Sequence, residues 1–128
     1  MGYASRVPDF KKLLVWQRAH ALAIRIYRIA KGIRGSQDIA LRAQTIRAAL
    51  SVAANIVEGR RQPTDKEFAR FLRISLNSGF ELEYHLLVAR DMGLLPEAEI
   101  EALLRELIEI RRMLEALINR LTQPPNPK

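Results

Sequence analysis

The chain has 128 residues, of which 48% are hydrophobic and 6% aromatic, and it contains no cysteine. This length fits one domain with one core, and the apolar fraction excludes disorder as the state of the whole chain. Without cysteine the chain has no disulfide, thiolate metal site or cysteine nucleophile. No segment reaches the roughly 18–20 apolar residues of a membrane span, and no signal peptide opens the chain, so we expect a soluble cytoplasmic domain with no membrane partner.

Basic residues are concentrated in the first 80 positions. Lysine and arginine number 21 against 14 acidic residues, which gives a net charge of +7. Residues 1–80 hold fifteen basic and five acidic residues, whereas residues 81–128 hold six and nine. Arginine accounts for 16 of the 21 basic residues, and its planar fork suits bidentate contacts with phosphate or carboxylate. The basic part therefore indicates either a polyanionic partner or pairing with acidic helices of the same fold.

Four amphipathic helices are predicted in chain order, over about residues 10–33, 37–58, 63–92 and 96–122. Ser36 or Asp38 is the expected N-cap of the second helix, and Gly59 is its expected stop. Thr64 and Glu67 form a capping box at the start of the third helix, in which each side chain satisfies the backbone N–H of the other residue.

Short connections between these helices make successive helices antiparallel. The predicted fold is therefore an all-α, antiparallel up-down-up-down four-helix bundle. The bundle is expected to cover residues 10–122, with an N-terminal tail at 1–9 and a C-terminal tail at 123–128.

Two helices show the apolar periodicity of a bundle core, with steps that alternate between three and four residues. In the second helix these positions are Ile39, Ala43, Ile46, Leu50, Ala53 and Val57. In the fourth helix they are Ile100, Leu103, Leu107, Ile110, Leu114, Leu117 and Leu121. We expect both sets to face the core.

The first two helices carry more apolar surface than one core requires. Apolar residues of the first helix spread over roughly 220°, where a surface helix needs an apolar stripe of about 100°. The second helix has a further apolar face, which consists of Leu41, Ala48, Ala49, Val52 and Ile56. We expect these surplus faces to form a subunit interface, the alternative being that both helices lie deep among neighbours of the same chain.

The strongest candidate site is a set of basic residues on the first and third helices and the loop before the third. Between Phe10 and Gln37 there are seven basic residues and no acidic one. The candidate phosphate-binding residues are Lys11, Arg18, Arg25, Arg28, Arg60, Arg61, Lys66, Arg70 and Arg73. Like charges in such a row repel unless an anion relieves them, so we expect contact with a nucleic-acid backbone. Pairing with acids of the fourth helix or of a neighbouring subunit, and plain solvation, are the alternatives.

A polar strip on the second helix forms a second candidate. It consists of Gln44, Arg47, Ser51, Asn55 and Glu58, which share one face. We expect Ser51, Asn55 and Glu58 to act as a structural polar seam that fixes helix register, rather than as a ligand site.

Catalytic and metal-binding chemistry receives little support. Ser78, Glu81 and His85 share one face of the third helix, but Ser78 and His85 are about 10 Å apart along the axis, too far for a nucleophile and its base. His20 lies on the apolar arc of the first helix, where we expect a core or interface residue. Trp16 and Tyr27 are also expected to be buried, which leaves no platform for stacking bases. We predict no catalytic residue, no metal and no cofactor.

Three segments resemble a known family. The first is Leu-Leu-Val-Trp-Gln at residues 13–17, the second is Ser-Val-Ala-Ala-Asn-Ile-Val-Glu-Gly at residues 51–59, and the third includes Phe68, Leu72 and Glu81 of the third helix. In this order they are similar to the 23S rRNA intervening-sequence protein family, also called the S23 or four-helix-bundle protein family. The resemblance covers roughly residues 10–95.

This resemblance implies a four-helix bundle that assembles into a homopentameric ring, without enzymatic activity or cofactor. A related branch, the accessory proteins of diversity-generating retroelements, implies binding to nucleic acid and to a reverse transcriptase. We therefore expect a non-catalytic homo-oligomer, presumed pentameric by resemblance, that binds the backbone of structured RNA or duplex DNA. The alternative is a homo-oligomeric protein-interaction scaffold that binds no nucleic acid.

Overall fold

Four α-helices make up nearly all of the described chain. The computed structural model describes residues 9–124, and within that range it contains no β-strand. The helices are α1 (Leu14–Ile29), α2 (Ile39–Arg60), α3 (Asp65–Asp91) and α4 (Glu97–Thr122). Short 3-10 turns occur at Phe10–Lys12, Ala30–Gly32 and Ser36–Asp38. The predicted tails at 1–9 and 123–128 fall largely on residues 1–8 and 125–128, which lie outside the described residues.

The helix boundaries follow local backbone chemistry. The first helix is shorter than predicted, because Leu13 and Ile33 are extended, with ψ angles of 122° and 93°. At the start of α3, Thr64 Oγ1 accepts a hydrogen bond from the Glu67 N–H at 3.2 Å, which confirms half of the predicted capping box. The Glu67 carboxylate accepts a hydrogen bond from Arg70 Nε at 3.1 Å.

Gly59 lies inside α2 and does not end it, which corrects the predicted stop. A Cβ atom at this position would lie 2.9 Å from Phe68 Cδ1 and 3.0 Å from Phe71 Cβ. Glycine is therefore needed here for the close approach of α2 to α3. The left-handed backbone typical of a helix stop is found instead at Gly93, after α3, with φ of 69°.

The helices pack in cyclic order, each against the helices before and after it in the chain, and α4 closes the bundle against α1. Between α2 and α3, Arg47 pairs with Glu81 and Ser51 with Ser78, so the two helices run in opposite directions. Between α1 and α4, Arg18 pairs with Glu106. The predicted four-helix bundle is confirmed. Within the described range, no helix combines the length and apolarity needed to cross a bilayer.

The fourth helix faces the core much as predicted. Its fully buried side chains are Ile100, Leu103, Leu107, Ile110 and Leu114. Towards the C-terminus Ile118 is buried, whereas Leu117 and Leu121 are half-buried. This small rotation of the seam reflects the difference between a strict seven-residue repeat and 3.6 residues per turn.

The second helix turns the other face inward, and here the predicted core seam is wrong. Ile39 and Leu50 are 50% and 49% exposed. The face that we predicted to lie in a subunit interface is buried in the core of the chain. Its residues Ala48, Ala49, Val52 and Ile56 are at 2% exposure or less. Both faces are apolar, so periodicity could not choose between them. The small side chains of the inner face allow the close approach to α3.

The first helix keeps part of its apolar arc at the surface. Val15, Leu22 and Ile26 are buried, whereas Tyr27 is 51% exposed. His20 is exposed and stacks on Trp16 with ring centroids 4.8 Å apart, so it is not a core residue of the single chain.

Candidate nucleic-acid interface

The predicted basic residues do not form one surface on a single chain. Helices α1 and α3 lie diagonally across the bundle, and their backbones do not approach each other closely among the described residues. Cations of the first helix and cations of the third helix therefore face away from each other. The two groups have to be considered separately.

Arg18 is half-buried and is held by a carboxylate of α4. Its Nε and Nη2 donate to the two carboxylate oxygens of Glu106 at 2.8 and 2.9 Å, and its Nη1 lies 3.7 Å from Met113 Sδ. This bidentate hydrogen bond raises the pKa of Arg18, and the same bond lowers the pKa of Glu106. A guanidinium so occupied is not available to a phosphate group, so Arg18 serves as a link between α1 and α4.

Arg25 and Arg28 are the exposed cations of α1. Arg25 lines a cleft of about 470 Å³ between α1 and α4, together with Arg105 and Arg112. Arg25 and Arg28 also line an open hollow of about 650 Å³ on the outer side of α1. We call Arg25, Arg28, Arg105 and Arg112 the α1–α4 patch.

Three of the four arginines in this patch have no anionic partner. Arg112 bonds Glu109 at 2.9 Å, but Arg25, Arg28 and Arg105 make no ion pair within the described chain. Both carboxylates of the cleft are already occupied, Glu106 by Arg18 and Glu109 by Arg112. The patch therefore presents uncompensated positive charge to solvent.

Arg105 and Arg112 were not among the predicted site residues. They lie on the fourth helix, in the part of the chain whose net charge is negative. The net charge of that part gives no indication of its individual arginines. Their seven-residue spacing equals the spacing of Arg18 and Arg25. This spacing is the feature of the sequence that indicates a second row of arginines on one helix face.

The predicted cations of the loop and of α3 are in more mixed surroundings. Arg60 lies over the Phe68 ring at 5.7 Å, and its Nε is buried without a hydrogen-bond partner among the described residues. Arg61 is 4.0 Å from Glu58. Arg70 bonds Glu67 at 3.1 Å and lies 4.6 Å from the Phe71 ring centroid.

The remaining predicted cations are Lys11, Lys66 and Arg73. Lys11 is exposed in the 3-10 turn before α1. Lys66 and Arg73 are exposed on α3, and Arg73 lines a cleft between α3 and α4. On this side Arg61 and Arg70 are paired with nearby acids, whereas Lys66 and Arg73 make no ion pair among the described residues.

The polar strip of α2 forms hydrogen bonds with α3. Ser51 Oγ lies 2.7 Å from Ser78 Oγ, and Asn55 Nδ2 donates to the Ser51 carbonyl and hydroxyl at 2.9 and 3.0 Å. Ser75, which the sequence did not single out, donates to the Val52 carbonyl at 2.7 Å while fully buried. Glu58 is exposed and makes no bond across this seam, so it does not belong to it.

Glu81 joins α2 and α3 at the solvent edge of the seam. Its carboxylate accepts from Arg47 and lies 3.1 Å from His85 Nε2. The hydrogen bond to His85 is the main cause of the lowered pKa of Glu81, and the charge of Arg47 lowers the pKa further. Ser78 bonds Ser51, not His85. Among residues 9–124 no three His, Cys, Asp or Glu side chains are grouped as metal ligands.

Comparison with known proteins agrees with this architecture. Residues 11–116 match the model of the family described as 23S rRNA-intervening sequence protein. No curated protein sequence matches the chain. A crystal structure of a protein of unknown function from the S23 ribosomal protein family of Bacteroides thetaiotaomicron is similar, with a TM-score of 0.77 at 24% identity, over 82% of this chain and 98% of that chain. A family match over most of the chain, together with the same fold in that structure, shows that the chain belongs to the 23S rRNA-intervening sequence protein family.

Proposed function

We propose that the protein is a non-catalytic nucleic-acid-binding protein that contacts the phosphate backbone of structured RNA or duplex DNA through the α1–α4 patch. One observation carries this proposal. Arg25 lines the cleft together with Arg105 of α4 and lines the hollow together with Arg28, and none of these three arginines makes an ion pair in the described chain.

The physical basis is charge and geometry. Guanidinium groups form bidentate bonds with phosphate oxygens, and each such contact releases condensed counterions from the nucleic acid. The two cleft carboxylates cancel only part of the patch, because Glu106 is bound by Arg18 and Glu109 compensates Arg112 alone. Contacts of this kind carry little sequence information, so binding to many sequences with similar affinity is expected.

Self-association supports the same function. The outward face of α2 is an apolar stripe that includes Ile39 and Leu50, and we propose that copies of the chain pack through it. The family resemblance favours five copies. A ring of copies repeats the patch, and a nucleic acid that reaches several patches gains affinity through avidity. The competing function is a scaffold whose arginines serve only protein contacts, as Arg18 does within the chain.

The test is fluorescence anisotropy with duplex DNA and a structured RNA across a salt series. The double variant Arg25→Ala with Arg105→Ala should weaken binding to every sequence, and the slope of log affinity against log salt should fall by about 2 per chain that contacts the ligand.

A matched control removes two charges outside the patch and outside the candidate phosphate-binding residues, with Arg34→Ala and Arg90→Ala. It should leave the salt slope close to that of the unsubstituted protein. Equal losses in both variants would show that net charge alone attracts the ligand. No binding at low salt by an intact oligomer, with its mass measured by light scattering, would favour the scaffold.

A further inference from the structure

The solvent-facing side of α3 carries an ordered row of side chains. They follow each other at steps of three and four, so they form one stripe along the helix. We call this row the α3 ridge; it consists of Lys66, Arg70, Arg73, Asn77, Phe80 and Tyr84. At a rise of 1.5 Å per residue the ridge is about 27 Å long. Its first half is cationic and its second half is aromatic.

The aromatic half is open to solvent, contrary to the expectation that no stacking platform exists. Phe80 is 50% exposed and Tyr84 is 64% exposed. The guanidinium of Arg111, from α4, lies over the Phe80 ring at 4.4 Å from its centroid. The guanidinium covers one face of the Phe80 ring, so a base can stack only on the opposite face, and it orients the ring before any ligand arrives, which lowers the entropy cost of stacking.

The cationic half adjoins a polar cleft. Lys66 and Arg73 make no ion pair among the described residues, and Arg73 lines a cleft of about 300 Å³ with Asn77 of α3 and with Glu115 and Asn119 of α4. The side-chain amides of Asn77 and Asn119 have no hydrogen-bond partner within residues 9–124. Amide groups can bond base edges while the neighbouring guanidinium of Arg73 binds a phosphate.

Three of the carboxylates beside the ridge are neutralised. Glu67 is bound by Arg70, Glu81 by Arg47 and Glu83 by Arg111. A negatively charged chain that follows the ridge therefore meets unpaired cations, neutral amides and paired acids, and Glu115 is the one carboxylate lining the cleft.

We propose that the α3 ridge binds a single-stranded segment of nucleic acid, with phosphates at Lys66 and Arg73 and unpaired bases stacked on Phe80 and Tyr84. This inference rests on the proposed function only in that the ligand is a nucleic acid. It adds a second surface, on the neighbouring α3–α4 side of the bundle, with a different preference. Base stacking needs unpaired bases, so the ridge selects loops, ends or single strands, whereas the patch binds backbone of any form.

The charge of the ridge is the reason to assign it to nucleic acid rather than to another copy of the chain. A copy-to-copy contact would have to cover Lys66 and Arg73 at a cost in desolvation unless it supplied acids for both. The outward stripe of α2 has the composition of such a contact, since Ile39 and Leu50 protrude there.

The test uses a short single-stranded oligonucleotide that contains 2-aminopurine, whose fluorescence falls when the base stacks on an aromatic ring. The variants are Phe80→Leu and Tyr84→Leu, which keep apolar volume but remove the aromatic face. Each should weaken single-strand binding, roughly five- to 150-fold for one stacked base, and reduce the quenching. Tyr84→Trp should retain both.

Tyr27→Leu is the matched control, because Tyr27 is a similarly exposed tyrosine on α1. It should leave single-strand affinity and quenching unchanged. Unchanged quenching in both ridge variants would overturn the inference. A fall in oligomer mass in those variants, with single-strand affinity retained, would overturn it too and would assign the ridge to a contact between copies.

The two proposals fail separately. If the Arg25→Ala, Arg105→Ala variant loses duplex binding but the ridge variants quench 2-aminopurine as the unsubstituted protein does, the patch proposal is supported and the ridge proposal is wrong. If the ridge variants reduce the quenching but the patch variant binds duplex as tightly as the unsubstituted protein, the ridge proposal is supported and the patch proposal is wrong.

Discussion

The two sides of the bundle are held together by different chemistry. Between α2 and α3 the contact is close and uses small residues and hydroxyls, including Gly59, Ser75 and the Ser51–Ser78 pair. Between α1 and α4 there are clefts of about 470 and 310 Å³, and the bidentate bond of Arg18 with Glu106 spans the gap.

This difference explains where free cations can exist. On the close side, the hydroxyls of Ser51, Ser75 and Ser78 are hydrogen-bonded within the protein, and helix approach leaves no room for a ligand. On the open side, one arginine is used as a link while Arg25 and Arg105 remain unpaired beside the cleft. A surface that is loosely packed and rich in arginine can bind an anion without breaking the core.

The first way to test the comparison is to ask which face of α2 belongs to the close side. Ile56 is fully buried, so Ile56→Ala should lower the free energy of unfolding by about 2–5 kcal/mol. Leu50→Ala, at 49% exposure, should change the free energy of unfolding of one chain by no more than about 0.5 kcal/mol.

Urea unfolding and light scattering at the same protein concentration measure both effects. If copies pack through the α2 stripe, Leu50→Ala reduces the mass of the assembly while leaving each chain folded. A greater loss of chain stability from Leu50→Ala than from Ile56→Ala would contradict the observed orientation of α2.

A smaller effect is expected from the hydroxyl pair of the close side. A double-mutant cycle of Ser51→Ala and Ser78→Ala should give a coupling energy of about 1 kcal/mol, because one hydrogen bond is lost once in the double variant. Ser51→Ala with Ser75→Ala is the control cycle, since Ser75 bonds the Val52 carbonyl instead. These two changes should be nearly additive. A large coupling energy in the control cycle would mean that the hydrogen bonds between α2 and α3 depend on one another. The coupling could then not be assigned to the Ser51–Ser78 bond.

The smallest effect is expected at the open side. Arg18 and Glu106 are each about one third exposed, with side-chain exposures of 34% and 32%, so Glu106→Gln should cost at most about 1 kcal/mol near neutral pH. The pKa of Glu106 is lowered in the folded protein from its ordinary value of 4.5. As pH falls, the unfolded carboxylate therefore takes up its proton first, and the contribution of this pair to stability is lost as pH drops through the folded pKa.

Urea midpoints between pH 7 and pH 3 measure this dependence. The difference between the unsubstituted protein and Glu106→Gln should be constant above the ordinary pKa and should shrink towards low pH. Glu109→Gln is the control, because Glu109 pairs with Arg112 on its own helix. A difference in stability between the two proteins that increases as the pH falls would contradict the Arg18–Glu106 ion pair.

Much of the architecture was predictable from the sequence. Helix number and order, the Thr64 cap and the core positions of the fourth helix follow from periodicity and local hydrogen bonding, which depend on residues close in the chain. The orientation of α2 did not follow, because the Leu50 face and the Val52 face are both apolar. The role of Gly59 did not follow either. A glycine at this position predicts the end of the helix, and the sequence alone does not show that Phe68 lies against it.

For the candidate site, most of the arginines were predictable from the sequence, but their partners were not. The row of cations on the first helix and the seam residues Ser51 and Asn55 are visible in the spacing alone. Whether an arginine is free depends on residues far away in the chain: Arg18 meets Glu106 and Arg105 comes to lie beside Arg25 only when α4 packs against α1. Local chemistry thus determined the helices, whereas side-chain contacts between distant segments decided which charges are compensated within the chain and which remain available to a ligand.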